Sequence, residues 1–207
     1  MTVASPGIGR RVDAIVIGTS AGGVEALSLL LPALPAGFPA PVFIVLHLPR
    51  ERPSLLPEIF APRCALPVRE AEDKLPVENG TVYFAPPDYH LLLDDGPSLA
   101  LSTDEPVHHS RPSIDVLFES ASEIYAERLL GIILTGASED GASGLAAVHR
   151  TGGVTIVQQP ETAYAPLMTE AALGRGAVDF VFSLEQIAAV LRTLGRGPIR
   201  NPKGAGQ

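Results

Sequence analysis

Three features of the 207-residue sequence predict an α/β fold, a doubly wound and mostly parallel sheet with an antiparallel hairpin insertion. Apolar runs of strand length alternate with segments of helical period. Gly, Pro, Ser or Asp stands at the transitions between them. The third feature is the core filling: hydrophobic residues make up 46% of the chain, yet aromatics are only 5% and Trp is absent. Leu, Ile, Val and Ala must therefore fill the interior, as they do in parallel sheets covered on both faces. With 18% charged residues the chain is not disordered over most of its length.

Taken in order, residues 13–18 read as a buried strand. The Ser20-Ala21-Gly22-Gly23 turn leads to a helix through Leu31, whose Val24, Leu27, Leu30 and Leu31 share one face and which Pro32 and Pro35 end. Residues 42–46 form an all-apolar strand and residues 53–60 a short helix. Between residues 67 and 101 the texture changes to short extended pieces with turn signals. This stretch predicts an antiparallel insertion, closed by a hairpin over residues 91–101 about Asp95-Gly96. Pro112 marks a helix start, with Ile114, Leu117, Phe118 and Ala121 as the apolar face. Strands over 129–134, 154–157 and 178–182 then alternate with helices over 141–150, 166–173 and 184–194. The expected organisation is an N-terminal extension (1–12), one domain (13–194) and a flexible polar tail (195–207).

Composition narrows the function classes. A formal charge of −8 argues against a nucleic-acid groove or an anionic membrane surface as partner. The apolar run after Arg10 and Arg11 breaks at Gly18, too short for a signal peptide or a membrane span, so no membrane insertion and a cytoplasmic location are expected. One cysteine, Cys64, forbids an intrachain disulfide and a Cys-rich zinc site, and the five histidines lack the paired helical spacing of a metal site. No metal and no cofactor are expected.

Gly18-Thr19-Ser20-Ala21-Gly22 is a G-x-S-x-G at a strand-to-helix junction, a context in which a sharp turn lifts a serine hydroxyl out of the sheet edge. The string is weak evidence by itself. A glycine turn with Ser20 as helix cap, or phosphate binding by the same amides, fits it too. A serine nucleophile needs a base. His47 follows the strand over 42–46 directly, whereas His90 lies in the insertion, His108 and His109 lie before Pro112, and His149 ends a helix. A base needs an orienting carboxylate, and Asp140 lies just beyond the strand over 129–134, where it also reads as a helix cap. Three strand ends thus bring Ser20, His47 and Asp140 to one edge of one sheet, with His47 expected within hydrogen-bond reach of both others. The chain order Ser, His, Asp differs from that of α/β-hydrolases, which run Ser, acid, His.

The segments Ile17-Gly18-Thr19-Ser20-Ala21-Gly22-Gly23-Val24-Glu25-Ala26, Val45-Leu46-His47-Leu48-Pro49, Val82-Tyr83-Phe84-Ala85-Pro86, Arg111-Pro112-Ser113-Ile114-Asp115, and Leu134-Thr135-Gly136 through Asp140-Gly141 resemble, in this order, the catalytic domain of the chemotaxis protein-glutamate methylesterases, the CheB family. The resemblance implies a catalytic triad of Ser20, His47 and Asp140. It implies hydrolysis of glutamate γ-methyl esters on the cytoplasmic helices of methylated chemoreceptors, with deamidation of receptor glutamines as a second activity. Two positions depart from the family pattern: Ala21 stands where threonine is usual and Ala137 where methionine is usual. A backbone N–H at 137 serves an oxyanion hole whatever the side chain. Family members usually begin with a phosphorylatable receiver domain, which is not expected here because the first strand begins near Asp13. Arg50, Arg52 and Arg111 lie near the motif loops, where solvated surface roles compete with contacts to an acidic substrate. The alternatives are a catalytically silent adaptor of the same fold and a small-molecule carboxylesterase.

Overall fold

The computed structural model describes residues 11–48, 54–94 and 98–194. In chain order the elements are β1 (Ala14–Thr19), α1 (Gly23–Leu30), β2 (Val42–Leu46), α2 (Leu56–Phe60), β3 (Val68–Glu70), β4 (Val82–Phe84), β5 (His90–Asp94), β6 (Ser98–Ser102), α3 (Ile114–Tyr125), β7 (Leu129–Ile133), α4 (Ala142–Arg150), β8 (Val154–Gln158), α5 (Leu167–Gly174), β9 (Phe180–Phe182) and α6 (Leu184–Leu194). A parallel sheet runs in the order β3-β4-β2-β1-β7-β8-β9, and β5 pairs antiparallel with β6 in a separate two-stranded sheet.

The side-chain alternation of β1 divides the core. Ile15 and Ile17 face a layer that includes Leu27 and Leu30 of α1 and Ile187, Val190 and Leu191 of α6. Ala14 and Val16 face the opposite layer, with Leu117 and Phe118 of α3, Leu145 and Val148 of α4, and Leu91 and Leu99 of the hairpin. Every residue of β1, β2, β7 and β8 is buried. This two-sided cover explains why these strands read as continuous apolar runs rather than alternating ones.

The sequence reading of residues 67–101 as an antiparallel insertion is corrected in part. The first half, β3 and β4, extends the main sheet in parallel, with Val42 opposite Val82 and Val68 opposite Val82 on the other side. The reason lies in Val82-Tyr83-Phe84, all buried, an unbroken apolar triple of the kind an interior parallel strand requires. Only β5 and β6 form the predicted hairpin, and residues 95–97 at its turn lie outside the described residues. The helix expected at Pro112 begins two residues later, at Ile114.

After β1 the chain builds outward on one side through β2, and it later returns to place β7 on the other side. The topological switch point therefore falls at the carboxyl end of β1, where open α/β sheets place their ligand sites.

Candidate active site

Ser20 follows β1 directly and is partly exposed. Its backbone N–H donates to the Thr135 carbonyl (3.0 Å), and its own carbonyl accepts from Gly23 (2.9 Å). The turn depends on Gly22, which caps α1 in the left-handed region (φ 80°). A Cβ at Gly22 would lie 2.6 Å from the Cβ of Tyr164, so both conformation and space require glycine. Thr135 is the hub that fixes this turn. Its carbonyl also accepts from the Thr19 hydroxyl (2.8 Å), its hydroxyl donates to the Ala21 carbonyl (2.8 Å), and its N–H reaches Gln158 Oε1 (2.9 Å).

Sheet register places His47 next to Ser20 along the strand ends. Thr19 stands opposite Leu46, and the His47 N–H donates to the Thr19 carbonyl (3.2 Å), so Ser20 and His47 occupy the next rung at adjacent strand ends. The imidazole Nε2 lies 2.9 Å from Asp140 Oδ2, with the ring 14% exposed and the carboxylate fully buried. The expected His47–Asp140 contact is therefore made. Among the described residues the Ser20 hydroxyl makes no hydrogen bond, to His47 or to another group. The hydrogen bond expected between His47 and Ser20 is therefore not made in this structure; bonds between a serine and its base are often long before substrate binds.

Asp140 is held by far more than the imidazole. Burial alone would push its carboxyl up, but hydrogen bonds from His47, from the Ile114 and Asp115 amides and from the Ser113 hydroxyl outweigh it and hold the carboxyl below the usual carboxylate range. The distances are 2.7 Å from Ile114 N to Oδ2, 3.0 Å from Asp115 N to Oδ1 and 2.8 Å from Ser113 Oγ to Oδ1. Asp140 thus sits on the N-terminus of α3, where orphan amides and the helix dipole favour an anion. An ionised Asp140 accepts, so Nε2 of His47 carries the proton and Nδ1 is left as the basic nitrogen.

The reading of Asp140 as cap of its own helix is corrected. Gly141 caps α4 with φ 99°, and Asp140 serves α3 instead. The exchange is mutual: Asp115, in the first turn of α3, accepts from Gly144 N in the first turn of α4 (2.6 Å). Burial pushes the Asp115 carboxyl up, with the charge of Asp140 adding to the effect and the Gly144 amide opposing it.

Three of the other histidines have partners elsewhere. His90 is buried, its Nδ1 accepts from Ser113 N (3.1 Å), and its Nε2 lies 3.2 Å from the Glu105 carbonyl. His108 Nε2 lies 3.3 Å from Asp115 Oδ2, and His149 Nε2 lies 3.7 Å from Asp179 Oδ1. Arg111 is not a freely solvated surface group. It grips Asp88 Oδ1 (2.7 Å) and the Thr103 and Asp104 carbonyls (2.7 and 3.1 Å), tying the segment before α3 to the loop after β6. Arg50 and Arg52 lie outside the described residues. No cluster of metal-ligating side chains occurs among the described residues, and no helix there is long and apolar enough to cross a membrane.

Ser113, His90 and Thr135 went unassigned in the sequence reading. Ser113 was within reach of it: a hydroxyl residue directly before an apolar helical run marks a helix N-terminus, which is a place for a carboxylate.

Comparison with known proteins bears on the fold and the family. Residues 15–191 match the family model described as CheB methylesterase. A Leptospira interrogans protein named "Putative protein-glutamate methylesterase/protein-glutamine glutaminase" is 47% identical over 176 residues, 85% of this chain and 91% of the relative. A protein-glutamate methylesterase/protein-glutamine glutaminase of Anaeromyxobacter dehalogenans is 40% identical over 193 residues, covering 93% of this chain and 56% of that longer relative. The crystal structure of the Thermotoga maritima CheB methylesterase catalytic domain superposes with a TM-score of 0.82 at 32% identity, covering 89% of this chain and all of that one. With sheet and sequence in agreement over nearly the whole described length, the chain belongs to the CheB methylesterase family.

Proposed function

We propose that residues 13–194 form a serine esterase that hydrolyses γ-methyl esters of glutamate on methylated chemoreceptors, with Ser20 as nucleophile, His47 as base and then acid, and Asp140 as the group that orients His47. The observation that carries this reading is the 2.9 Å contact between His47 Nε2 and a buried, ionised Asp140, at the strand end beside Ser20. The names of the relatives support the substrate class.

In this mechanism Nδ1 of His47 takes the Ser20 proton as Oγ attacks the ester carbonyl. The imidazolium so formed is stabilised by Asp140, which stays ionised. The N–H groups of Ala21 and Ala137 have no acceptor among the described residues and are available to the oxyanion, alongside the N-terminus of α1. Methanol departs with the proton from His47. Water, deprotonated by the same nitrogen, then releases the glutamate carboxylate and frees Ser20. With glutamine the leaving group is ammonia and the steps are otherwise the same. The receptor helices concerned are cytoplasmic, which locates the reaction there.

The test is methanol release from methyl-labelled receptor membranes beside turnover of a small aryl ester. Release from the receptor supports the reading. Aryl-ester turnover without it makes the protein a small-molecule esterase, and neither activity makes it a silent adaptor.

A further inference from the structure

Tyr164 is 83% exposed, more than any other large hydrophobic side chain among the described residues. An exposed tyrosine is ordinarily unremarkable surface. This one is placed differently, because its Cβ occupies the space a side chain at Gly22, two residues beyond Ser20, would need: a Cβ there would lie 2.6 Å from it. Its backbone is also pinned on both sides. The N–H of Ala163 donates to the Pro160 carbonyl (3.0 Å), and that of Ala165 donates to the Thr135 hydroxyl (2.9 Å). The Ala165 carbonyl accepts from Gly136 (2.9 Å). The same Thr135 carbonyl receives the Ser20 N–H, so the loop under Tyr164 and the nucleophile turn are anchored to one residue. Leu167, three residues on, opens α5 and is 45% exposed.

A ring on a fixed backbone has two side-chain torsions to lose on contact, so it binds an apolar surface at low entropic cost. A small ester occupies only the reacting centre. An ester carried on a packed protein helix brings the neighbouring side chains of that helix to the lip of the site. We infer that Tyr164, with Leu167 three residues on, is the ledge on which the protein substrate docks, meeting an apolar side chain that flanks the methylated glutamate. The inference rests on the reading of the chain as a protein methylesterase. Tyr164 is a specificity-determining residue in this account and takes no part in the chemistry, since nothing ties its hydroxyl to Ser20 or His47.

The experiment compares kcat and KM of wild type, Tyr164→Ala and Tyr164→Phe on methylated receptor membranes and on p-nitrophenyl acetate. Removing a central aromatic contact is expected to raise KM for the receptor about tenfold or more while kcat is retained. The aryl ester is turned over as by wild type, and Tyr164→Phe behaves as wild type on both, because the ring and not the hydroxyl makes the contact. An unchanged receptor KM in Tyr164→Ala overturns the proposal. So does a parallel loss on both substrates, which marks Tyr164 as a support of the Gly22 turn. Failure of the underlying reading looks different: wild type then cleaves the aryl ester and leaves the receptor methylated, and the docking role falls with it.

Discussion

Asp140 and Ser20 lie on either side of His47 in the chain's site, the first bonded to its ring and the second one rung away at the neighbouring strand end, and they are held in opposite ways. Asp140 is fully buried and accepts hydrogen bonds from His47, Ser113, Ile114 and Asp115, the last two through the free amides of α3. Ser20 is partly exposed, and only its backbone is fixed, through Thr135 and Gly23. The carboxylate is thus part of the framework that joins α3 to α4, and the same carboxylate holds the His47 ring by a hydrogen bond. The Ser20 hydroxyl, without a hydrogen bond among the described residues, stands on a turn fixed by its backbone. A site divided this way makes the two ends separable: a change at Ser20 should remove chemistry and spare the fold, while a change around Asp140 should affect both.

The largest effect tests the first half of that statement. Ser20→Ala is expected to lower ester turnover by about 10⁴ to 10⁶, with urea unfolding as in wild type because no side-chain bond is lost. A marked loss of stability would break the contrast. Asp140→Asn should cost about 10⁴ in turnover and, unlike Ser20→Ala, should also destabilise. Asparagine offers one carbonyl where the carboxylate used two oxygens, and its NH₂ faces donors, at about 1–3 kcal/mol for each donor left unpaired. Unfolding in urea measures it.

Ser113→Ala sharpens the comparison, since it removes one donor and leaves the amides of Ile114 and Asp115 in place. Turnover should fall by about tenfold or less, equivalent to about 1.4 kcal/mol in the barrier. Asp140 is held below the usual carboxylate range, so its contribution is complete above the unfolded value of about 3.9 and is lost as pH falls through the folded value. Losing the Ser113 bond raises the folded value and narrows that gap. The acid-unfolding midpoint, followed by circular dichroism, should move to higher pH. Asp115→Asn should have the smallest effect on turnover, because the backbone of Asp115, not its side chain, meets Asp140. The Asp115 carboxyl is pushed up, so the native state binds its proton more tightly than the unfolded chain does. Its contribution to stability declines as pH rises from the unfolded carboxylate value through the folded one. The asparagine variant should lack that slope in urea-unfolding measurements across the interval.

The sequence reveals the groups placed by strand ends and conceals those placed by packing between helices. Ser20 and His47 each follow an apolar strand directly, and Asp140 lies in the loop that follows β7, so a parallel sheet brings them to one edge and the residues announce it. The parallel placement of β3 and β4 was hidden because short extended pieces carry no mark of their pairing partner, although the unbroken triple Val82-Tyr83-Phe84 was such a sign. The exchange of Asp140 and Asp115 between the ends of α3 and α4 was hidden for another reason. Either aspartate, read alone, is an ordinary cap for its own helix, and only the side-by-side packing of α3 and α4 decides which amides each one meets. His90 likewise reads as one more imidazole until its contact with Ser113 N–H shows it supporting the start of α3.

The central claim is that Ser20 is made nucleophilic by His47 while Asp140 holds that histidine in place. Reaction with a fluorophosphonate, followed by peptide mass spectrometry in wild type and His47→Ala, tests it without reference to any natural substrate. The account predicts a single adduct on Ser20 that forms rapidly in wild type, is absent in Ser20→Ala, and is slowed by orders of magnitude in His47→Ala. An unlabelled Ser20 in a protein that still cleaves esters, or labelling at the same rate without His47, would contradict it.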